Sequence, residues 1–425
     1  MSGMTCQRRH ALALFALIVG SAFAGPAGAT TAPALLPAWT PGTLDIHHIQ
    51  TGRGNSTFIV GPDGTTILID AGALDPADIE VANAPLKLAP AVPNASLRPG
   101  QWIARYIHQT TPADHQRIDY AIITHFHTDH FGSVTPSSPW SATRAYRLSG
   151  ITDVGDVLPI GVLIDRLQPG SGDPAPHDDL TIRNYYAFAD FLKAKRGTRW
   201  MPLQLGTTAQ IHLANTTAYP GFKVLGIKAG SRIMDGAGGS RAVFDPKRAT
   251  APDGSAMENP FSIALRLSYG SFDYYAGGDN TGLDEPYAPD AVDTESVIAP
   301  LVGPVDVMAL DHHGNRDATN SHILENLRPR VMVEQVYTTD QPGGEVVHRI
   351  AAKGLYAGSR DIFATHLFPQ TEEAIGPAMI RAFTASGGHV LVRVAPGGAS
   401  YRVFLLDDLA VKPTIRAVFG PYQSR

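Results

Sequence analysis

The 425-residue chain has a single cysteine, Cys6. One thiol closes no disulfide within the chain and builds no thiolate metal site, so stability must come from a packed core and any metal must be held by nitrogen and oxygen. Long apolar runs are missing too. Ala11 to Ala24 is an apolar run broken only by Ser21 and is too short for a comfortable membrane span. Positive charge is not in excess: 34 Lys and Arg stand against 39 Asp and Glu, a formal net charge of −5. That excludes a general attraction to nucleic acid or anionic lipid, so a nucleic-acid substrate would have to be drawn in locally. There is no repeat of fixed period and no low-complexity tract. The length therefore reads as two or three domains, or one large domain with insertions.

What is present begins with a targeting segment. Arg8, Arg9 and His10 form a basic start, the apolar run follows, and Ala27-Gly28-Ala29 is a small-residue cleavage site. Cleavage after Ala29 is expected, leaving 30–425 as the mature chain. It removes Arg8, Arg9, no acid, and Cys6, which takes the net charge from −5 to −7. The expected destination is the periplasm or the exterior, with no stable membrane partner. A composition of 44% hydrophobic and 17% charged residues, with 42 Gly and 33 Pro, suits a globular core with many loops.

Short strands are expected first at Leu44–Ile49, Ser56–Val60 and Thr66–Ile69, joined by Gly turns and closed by Asp70-Ala71-Gly72. Residues 73–118 read as an irregular insertion with a helix starting near Pro99. An apolar strand, Tyr120–Ile123, follows. Residues 135–255 read as a long insertion holding a helix from Leu180 to Lys195 and, over 230–259, a mobile Gly-rich loop. Strands return at Ser262–Leu267, Phe272–Ala276, Val305–Leu310 and Val331–Gln335. A helix spans Ser321–Leu327, another Thr371–Ala385, and a hairpin of Val390–Val394 with Tyr401–Leu406 closes the chain.

The chemistry concentrates at strand ends. Thr124-His125-Phe126-His127-Thr128-Asp129-His130 sets three imidazoles and a carboxylate in one tight loop directly after a strand. Divalent metals such as zinc bind these groups at about 2.0–2.2 Å. Asp70, Asp279 and His312-His313 also follow apolar strands, and such ends converge on one edge of a layered sheet protein. Other histidines read as structural or lack ligand-like partners in sequence: His47-His48 on the first strand, and His108, His115, His177, His212 and His348. Asp235 to Ser240 is Gly-rich but lacks the Lys-Ser/Thr of a nucleotide loop, so it reads as a lid.

Four stretches together resemble the metallo-β-lactamase superfamily: Leu44 to Gly72, THFHTDHFG at 124–132, ENPFSIALRLSYGSFDYYAGGD at 258–279, and VDVMALDHHGNRDATNSHILENLRP at 305–329. Within it they are most similar to the hydrolase domain of the ComEC-type DNA-uptake channel and its free-standing relatives. The resemblance implies an α/β αββα sandwich with large insertions. It implies that His125 and His127 hold a first metal, that Asp129 and His130 hold a second, and that Asp279 bridges them. One of His312 and His313 completes the second site. His313 is favoured for its place beside Gly314, leaving His312 to meet substrate. Asp70 would orient the metal loop from behind. The place where many relatives carry a third histidine for the first metal holds Asn259, a weaker ligand that suits a harder ion.

The implied cofactor is one or two Zn2+ ions, with Mn2+ as the alternative. A divalent ion lowers the pKa of bound water from 15.7 to about 7, so hydrolysis needs no Ser, Cys or Lys nucleophile. Asp279 or Asp129 would take the proton. A histidine, His127, rather than a glutamate at the middle of the motif argues for hydrolysis over oxygen reduction. The expected activity is an exported hydrolase, a phosphodiesterase or nuclease acting on a small molecule or oligonucleotide. Two alternatives stand beside it: a carbon-centre hydrolase (lactonase, thioesterase or β-lactamase), and a catalytically silent module whose metals only hold its loops.

Overall fold

Alternation along the strands builds two faces at once. In Thr66–Ile69, Ile67 and Ile69 enter one apolar cluster and Leu68 another; in the next strand Tyr120 and Ile122 part from Ala121 in the same way. A sheet made of such strands must be covered on both sides. The computed structural model describes residues 34–80, 86–167, 170–236, 238–283 and 292–425, and the expected signal segment 1–29 lies outside them.

Strands β1 (Leu44–His48), β2 (Thr57–Val60), β3 (Thr66–Ile69), β4 (Ile118–Ile122), β5 (Ile160–Asp165) and β6 (Arg199–Pro202) lie in one sheet. The second holds β7 (Phe222–Ala229), β8 (Arg232–Met234), β9 (Ser240–Ala242), β10 (Ala264–Tyr269), β11 (Phe272–Ala276), β12 (Val307–Ala309), β13 (Val331–Glu334), β14 (Asp361–Ala364) and β15 (Phe383–Ser386). β16 (His389–Val394), β17 (Ser400–Leu406) and β18 (Ile415–Gln423) return to the first. Among the described residues each sheet has nine strands, in the orders β18-β17-β16-β1-β2-β3-β4-β5-β6 and β15-β14-β13-β12-β11-β10-β7-β8-β9.

Each sheet is antiparallel at first and then parallel. β1, β2 and β3 form a meander and β3 to β6 run parallel. Likewise β7, β10 and β11 are antiparallel and β11 to β15 parallel. The inner faces meet through Ile46, Ile67, Ile122 and Ile164 from one sheet and Val224, Leu267, Val307 and Val331 from the other. Each such side chain contributes about 1.5–3 kcal/mol by leaving water. Helices Pro99–Thr110, Ile151–Val157 and Leu180–Phe191 cover the outer face of the first sheet through Ile103, Ile107, Val154 and Phe188. Helices Glu295–Val302, Ser321–Leu327 and Gly344–Ala351 cover the second through Ile298, Leu324 and Val346. The architecture is the expected αββα sandwich.

Local chemistry sets the helix ends. Asp179 caps Leu180–Phe191 by accepting from Ile182 N at 2.8 Å. Pro99 opens the helix it begins, where a missing N–H costs nothing.

Several expectations are corrected. The 73–118 segment contains the helix that carries the chain from β3 to the parallel β4, so that part is a crossover of the core fold rather than an insertion. The 135–255 segment holds β5 to β9, again part of both sheets. Within it, 230–259 is not a free loop: β8 pairs with β7 and β9, and Phe244, Ala249 and Ala256 pack on Phe261. The helix expected over 371–385 is two short helices, Pro369–Ile375 and Pro377–Ile380, followed by β15. Gly376, at φ 81°, and Pro377 break it. β14 and β18 were not expected.

Candidate metal centre

The parallel strands deliver their C-terminal ends to one place. β3 ends at Asp70, β4 runs into 124–131, β11 into Gly277-Gly278-Asp279, β12 into Asp311 to Gly314, and β13 into Gln335 and Tyr337. Asp70 there adopts φ 61°, and His312, His313 and Gly314 are left-handed in succession at 47°, 54° and 68°. Such conformations cost about 1–3 kcal/mol each for side-chain-bearing residues and persist only where the surroundings enforce them. Gly54 and Gly72 let two loops close on the metal loop: a Cβ on either would overlap the Asp129 carbonyl oxygen.

Two groups of ligand-type atoms result, each lying within 4.8 Å of one another: Asp129, His130, Asp279 and His313, and His125, His127 and Asp279. Asp279 is common to both. His130 Nε2 lies 3.1 Å from Asp279 Oδ1 and 3.3 Å from Asp129 Oδ2. His313 Nε2 lies 3.1 Å from Asp129 Oδ2 and 3.4 Å from Asp279 Oδ2. The two imidazole Nε2 atoms are 3.2 Å apart. In the other group His125 Nε2 is 3.1 Å from His127 Nδ1 and 3.7 Å from Asp279 Oδ2. His127 is partly exposed, whereas His125, His130 and Asp279 are buried.

Tautomers follow from what lies behind the rings. His130 Nδ1 is 2.7 Å from Asp70 Oδ2, and His313 Nδ1 is 3.0 Å from the Gln335 carbonyl. Both partners only accept, so both Nδ1 atoms carry protons and both neutral rings turn Nε2 lone pairs inward. Those lone pairs meet each other and two carboxylates. Asp279 Oδ1 has no hydrogen-bond donor in this buried space. Burial lowers the pKa of His130 and His313, but the Asp279 and Asp129 carboxylates outweigh it, holding His130 well above its ordinary value and pushing His313 up to about 10. The pocket thus demands positive charge, from protons or from divalent cations. The donor set of imidazole and carboxylate fits a transition metal.

Asp70 lies behind this arrangement. Its Oδ1 accepts from Thr124 N at 2.8 Å and its Oδ2 from Thr124 Oγ1 at 2.8 Å, besides His130. Burial raises its pKa, and His130 and Thr124 act in the opposite direction. His313 joins Asp129 and His130, whereas His312 stands at the rim, with 18% of its side chain exposed. Its Nδ1 is held by Asp317 at 2.7 Å and its Nε2 lies 3.2 Å from Asn259 Nδ2 and 3.9 Å from Asp279 Oδ2. Asn259 thus reaches this edge, and its Oδ1 is buried without a partner. His177 pairs with exposed Asp253, and His212 turns to the Leu213 carbonyl, so neither joins the cluster. His47 and His48 are core residues bonded to Tyr106 and Gln335.

Sequence reading missed three groups. Tyr337 donates to Asp129 Oδ2 at 2.7 Å and packs edge-on against His313; it follows β13 as the other polar clusters follow their strands, which was the available signal. Asp317 orients His312 from five residues away. Glu258 accepts from Phe126 N, between His125 and His127, at 3.0 Å, and buried Arg166 donates to both of its oxygens. No local pattern marks that pair, whose members are 92 residues apart. A cleft of about 290 Å³ opens beside this edge, lined among others by Thr51, Arg53, Leu74, Asp75, Trp102 and Ser133, and it includes none of the clustered ligands.

Four layers with an Asp/His cluster at the carboxyl ends of the strands define a metal-binding α/β sandwich. Residues 49–138, which include the whole metal loop, match the family model of the metallo-beta-lactamase superfamily. The match spans under a quarter of the chain and lies in the half-sandwich that carries the metal loop; nothing in the comparisons singles out the ComEC-type branch. No curated protein matches the chain. Among solved structures, a protein described as a metal-dependent hydrolase from Parabacteroides distasonis is similar at 14% identity and a TM-score of 0.33, over 75% of this chain and 92% of its own. Zn(2+)-bound PqqB from Methylobacterium extorquens is similar at 10% identity and a TM-score of 0.32, over 68% and 88%. Likeness at that level carries no function across.

Proposed function

We propose that this chain is an exported metal-dependent hydrolase of phosphodiesters, small or oligonucleotide. The observation that carries the hydrolase reading is the convergence of Asp129, His130, Asp279 and His313, with Asp279 shared by His125 and His127. Divalent ions bound there would acidify water and offset charge growing on substrate oxygens. The chain's own residues do the rest. Asp70 and the Gln335 carbonyl fix the two ring tautomers. Tyr337 steadies Asp129, leaving Asp279 Oδ1, free of hydrogen bonds, as the proton acceptor. His312, oriented by Asp317 at the partly open rim, is placed to meet substrate oxygens.

The donor set of four imidazoles and two carboxylates suits zinc, with manganese as the alternative; the preference for phosphorus over carbon rests on the resemblance of the four sequence stretches to the ComEC-type hydrolase domain. Export rests on the N-terminal segment, Arg8 to Ala29. No helix among the described residues is long and apolar enough to cross a membrane.

The test is turnover of bis-p-nitrophenyl phosphate by metal-loaded protein, beside a lactone, a thioester and a β-lactam. Diester hydrolysis that is lost with chelator and restored by zinc or manganese is expected. Turnover of only a carbon ester or lactam moves the chemistry to carbon. Less than about half an equivalent of metal in protein from metal-replete medium removes the reading altogether.

A further inference from the structure

The segment Glu258 to Ile263 bonds to both loops that carry the His125, His127 and Asp279 group. Glu258 Oε2 accepts from Phe126 N at 3.0 Å, and Ile263 N donates to Thr124 O at 3.0 Å, so both ends of the segment grip the His-x-His loop. Ser262 Oγ accepts from Asp279 N at 3.1 Å. Asn259 meets His312. The segment is itself clamped from below. Lys228, fully buried, donates to the carbonyls of Pro260 and Ser262 at 2.6 and 2.9 Å. Arg166, which begins the turn after β5, donates through Nε to Glu258 Oε2 at 2.7 Å and through a second nitrogen to Oε1, while its guanidinium stacks over Phe126 and Phe261 at 5.3 and 5.2 Å.

A buried ion pair is seldom placed for stability, because removing two charges from water costs about as much as their attraction returns. This one sits where a local fold has few alternatives. The His125 and His127 rings must present two nitrogens from one irregular loop, and Glu258 takes the N–H of Phe126, the residue between them. Its acceptor, Glu258, can be aimed only if its own rotamer is fixed, and a two-point guanidinium contact fixes it.

We propose that Glu258, held by Arg166, is the positioning residue of the His125/His127 metal position, setting the geometry of that pair through the Phe126 peptide. The inference rests on the metal reading of the cluster. It assigns Glu258 no contact with metal or substrate.

Single removal of Glu258 leaves Arg166 buried without a partner and threatens the fold, so the test removes both charges in two ways. Full-length Arg166→Met/Glu258→Gln keeps an acceptor for Phe126 N. Arg166→Met/Glu258→Leu does not. Apo forms are titrated with cobalt(II), following the visible spectrum for each equivalent, with Asp129→Ala and His127→Ala assigning which equivalent belongs to which group. The Leu double variant is expected to lose at least about tenfold in affinity at the His125/His127 position, as outer-shell partners do, with an altered spectrum there. The Asp129/His130/His313 position should stay within about threefold of wild type, and the Gln double variant should recover most of the loss. Equal binding by the two double variants, or equal loss at both positions, overturns the role of Glu258. A wild-type chain that takes up no cobalt at all overturns the metal reading itself, and this inference with it.

Discussion

Changing Asp70 to Asn tests the tautomer argument with one atom. Asn tolerates the left-handed backbone, here φ 61°, better than most residues, so the turn should persist. With its oxygen kept on Thr124 N, the new amide nitrogen takes the place of Oδ2, facing Thr124 Oγ1 and His130 Nδ1. The threonine hydroxyl turns and accepts. The imidazole has no such freedom: Nδ1 must give up its proton to accept, and the proton moves to Nε2, which points at Asp129, Asp279 and His313. A protonated Nε2 is no ligand. Losing a hydrogen bond to a charged group costs about 1.5–3 kcal/mol, and at about 1.4 kcal/mol per tenfold this spans roughly 10–150-fold. Outer-shell partners of metal-bound histidines give about 10–100-fold, in agreement. Asp70→Asn should therefore weaken one equivalent of zinc by 10–100-fold in a chelator competition, the same equivalent that Asp129→Ala removes, with a urea midpoint near wild type. If both equivalents stay within about threefold while the fold is intact, Asp70 does not set the ring, and the reading of the cluster as two inward lone pairs fails.

Asp129→Ala and Asp279→Ala should each lower hydrolysis by more than the roughly hundredfold ceiling of outer-shell changes, with circular dichroism unchanged; retained turnover in either places the reacting centre elsewhere. Asn259→His should tighten one equivalent of zinc, because imidazole replaces an amide beside His312 at the edge of the cluster, and a titration with no gain at either step refutes that placement. Buried His48 is held down to about pKa 4 by desolvation and His389 to about 3. The unfolded chain therefore binds protons that the folded chain refuses from about pH 6.5 downward, and stability falls on acidification by up to about 1.4 kcal/mol per pH unit for each group. His48→Asn should remove one group's share of that slope between pH 6.5 and 4 in urea melts, and an unchanged slope contradicts it. Mass spectrometry of fractionated cells should find Thr30 as the first residue outside the cytoplasm; an intact Met1 in the cytoplasm denies export.

The metal loop was legible because its ligands are local. His125, His127, Asp129 and His130 lie within one turn after an apolar strand, and no tertiary information is needed to see that they converge. The first three strands, the β10–β11 hairpin and helix Ser321–Leu327 were legible for the same reason: apolar period and Gly punctuation are short-range signals. β5, β6 and β14 were not. β5 and β14 are short parallel strands covered on both faces, and such runs carry no alternation to set them apart from loop or helix; β6 is a four-residue edge strand, too short to show a period. The supposed insertion at 135–255 consequently joined the two sheets as β5 to β9, and 73–118 supplied a crossover helix.

Within the cluster, sequence alone determined which residue types were available and which strand ends carried them. It separated His312 from His313 only by the place of His313 beside Gly314, since the two adjacent side chains offer the same ligand atoms. Three successive left-handed residues decided between them, turning His313 inward against the Gln335 carbonyl and His312 outward to Asp317. The partners that hold the ligands, Tyr337 on Asp129 and Arg166 with Glu258 on the Phe126 peptide, come from strands distant in the chain. Hydrogen bonds of that kind have no period, and only the place of Tyr337 after β13 left a local trace. They exist only once two sheets have packed and brought five strand ends to one edge.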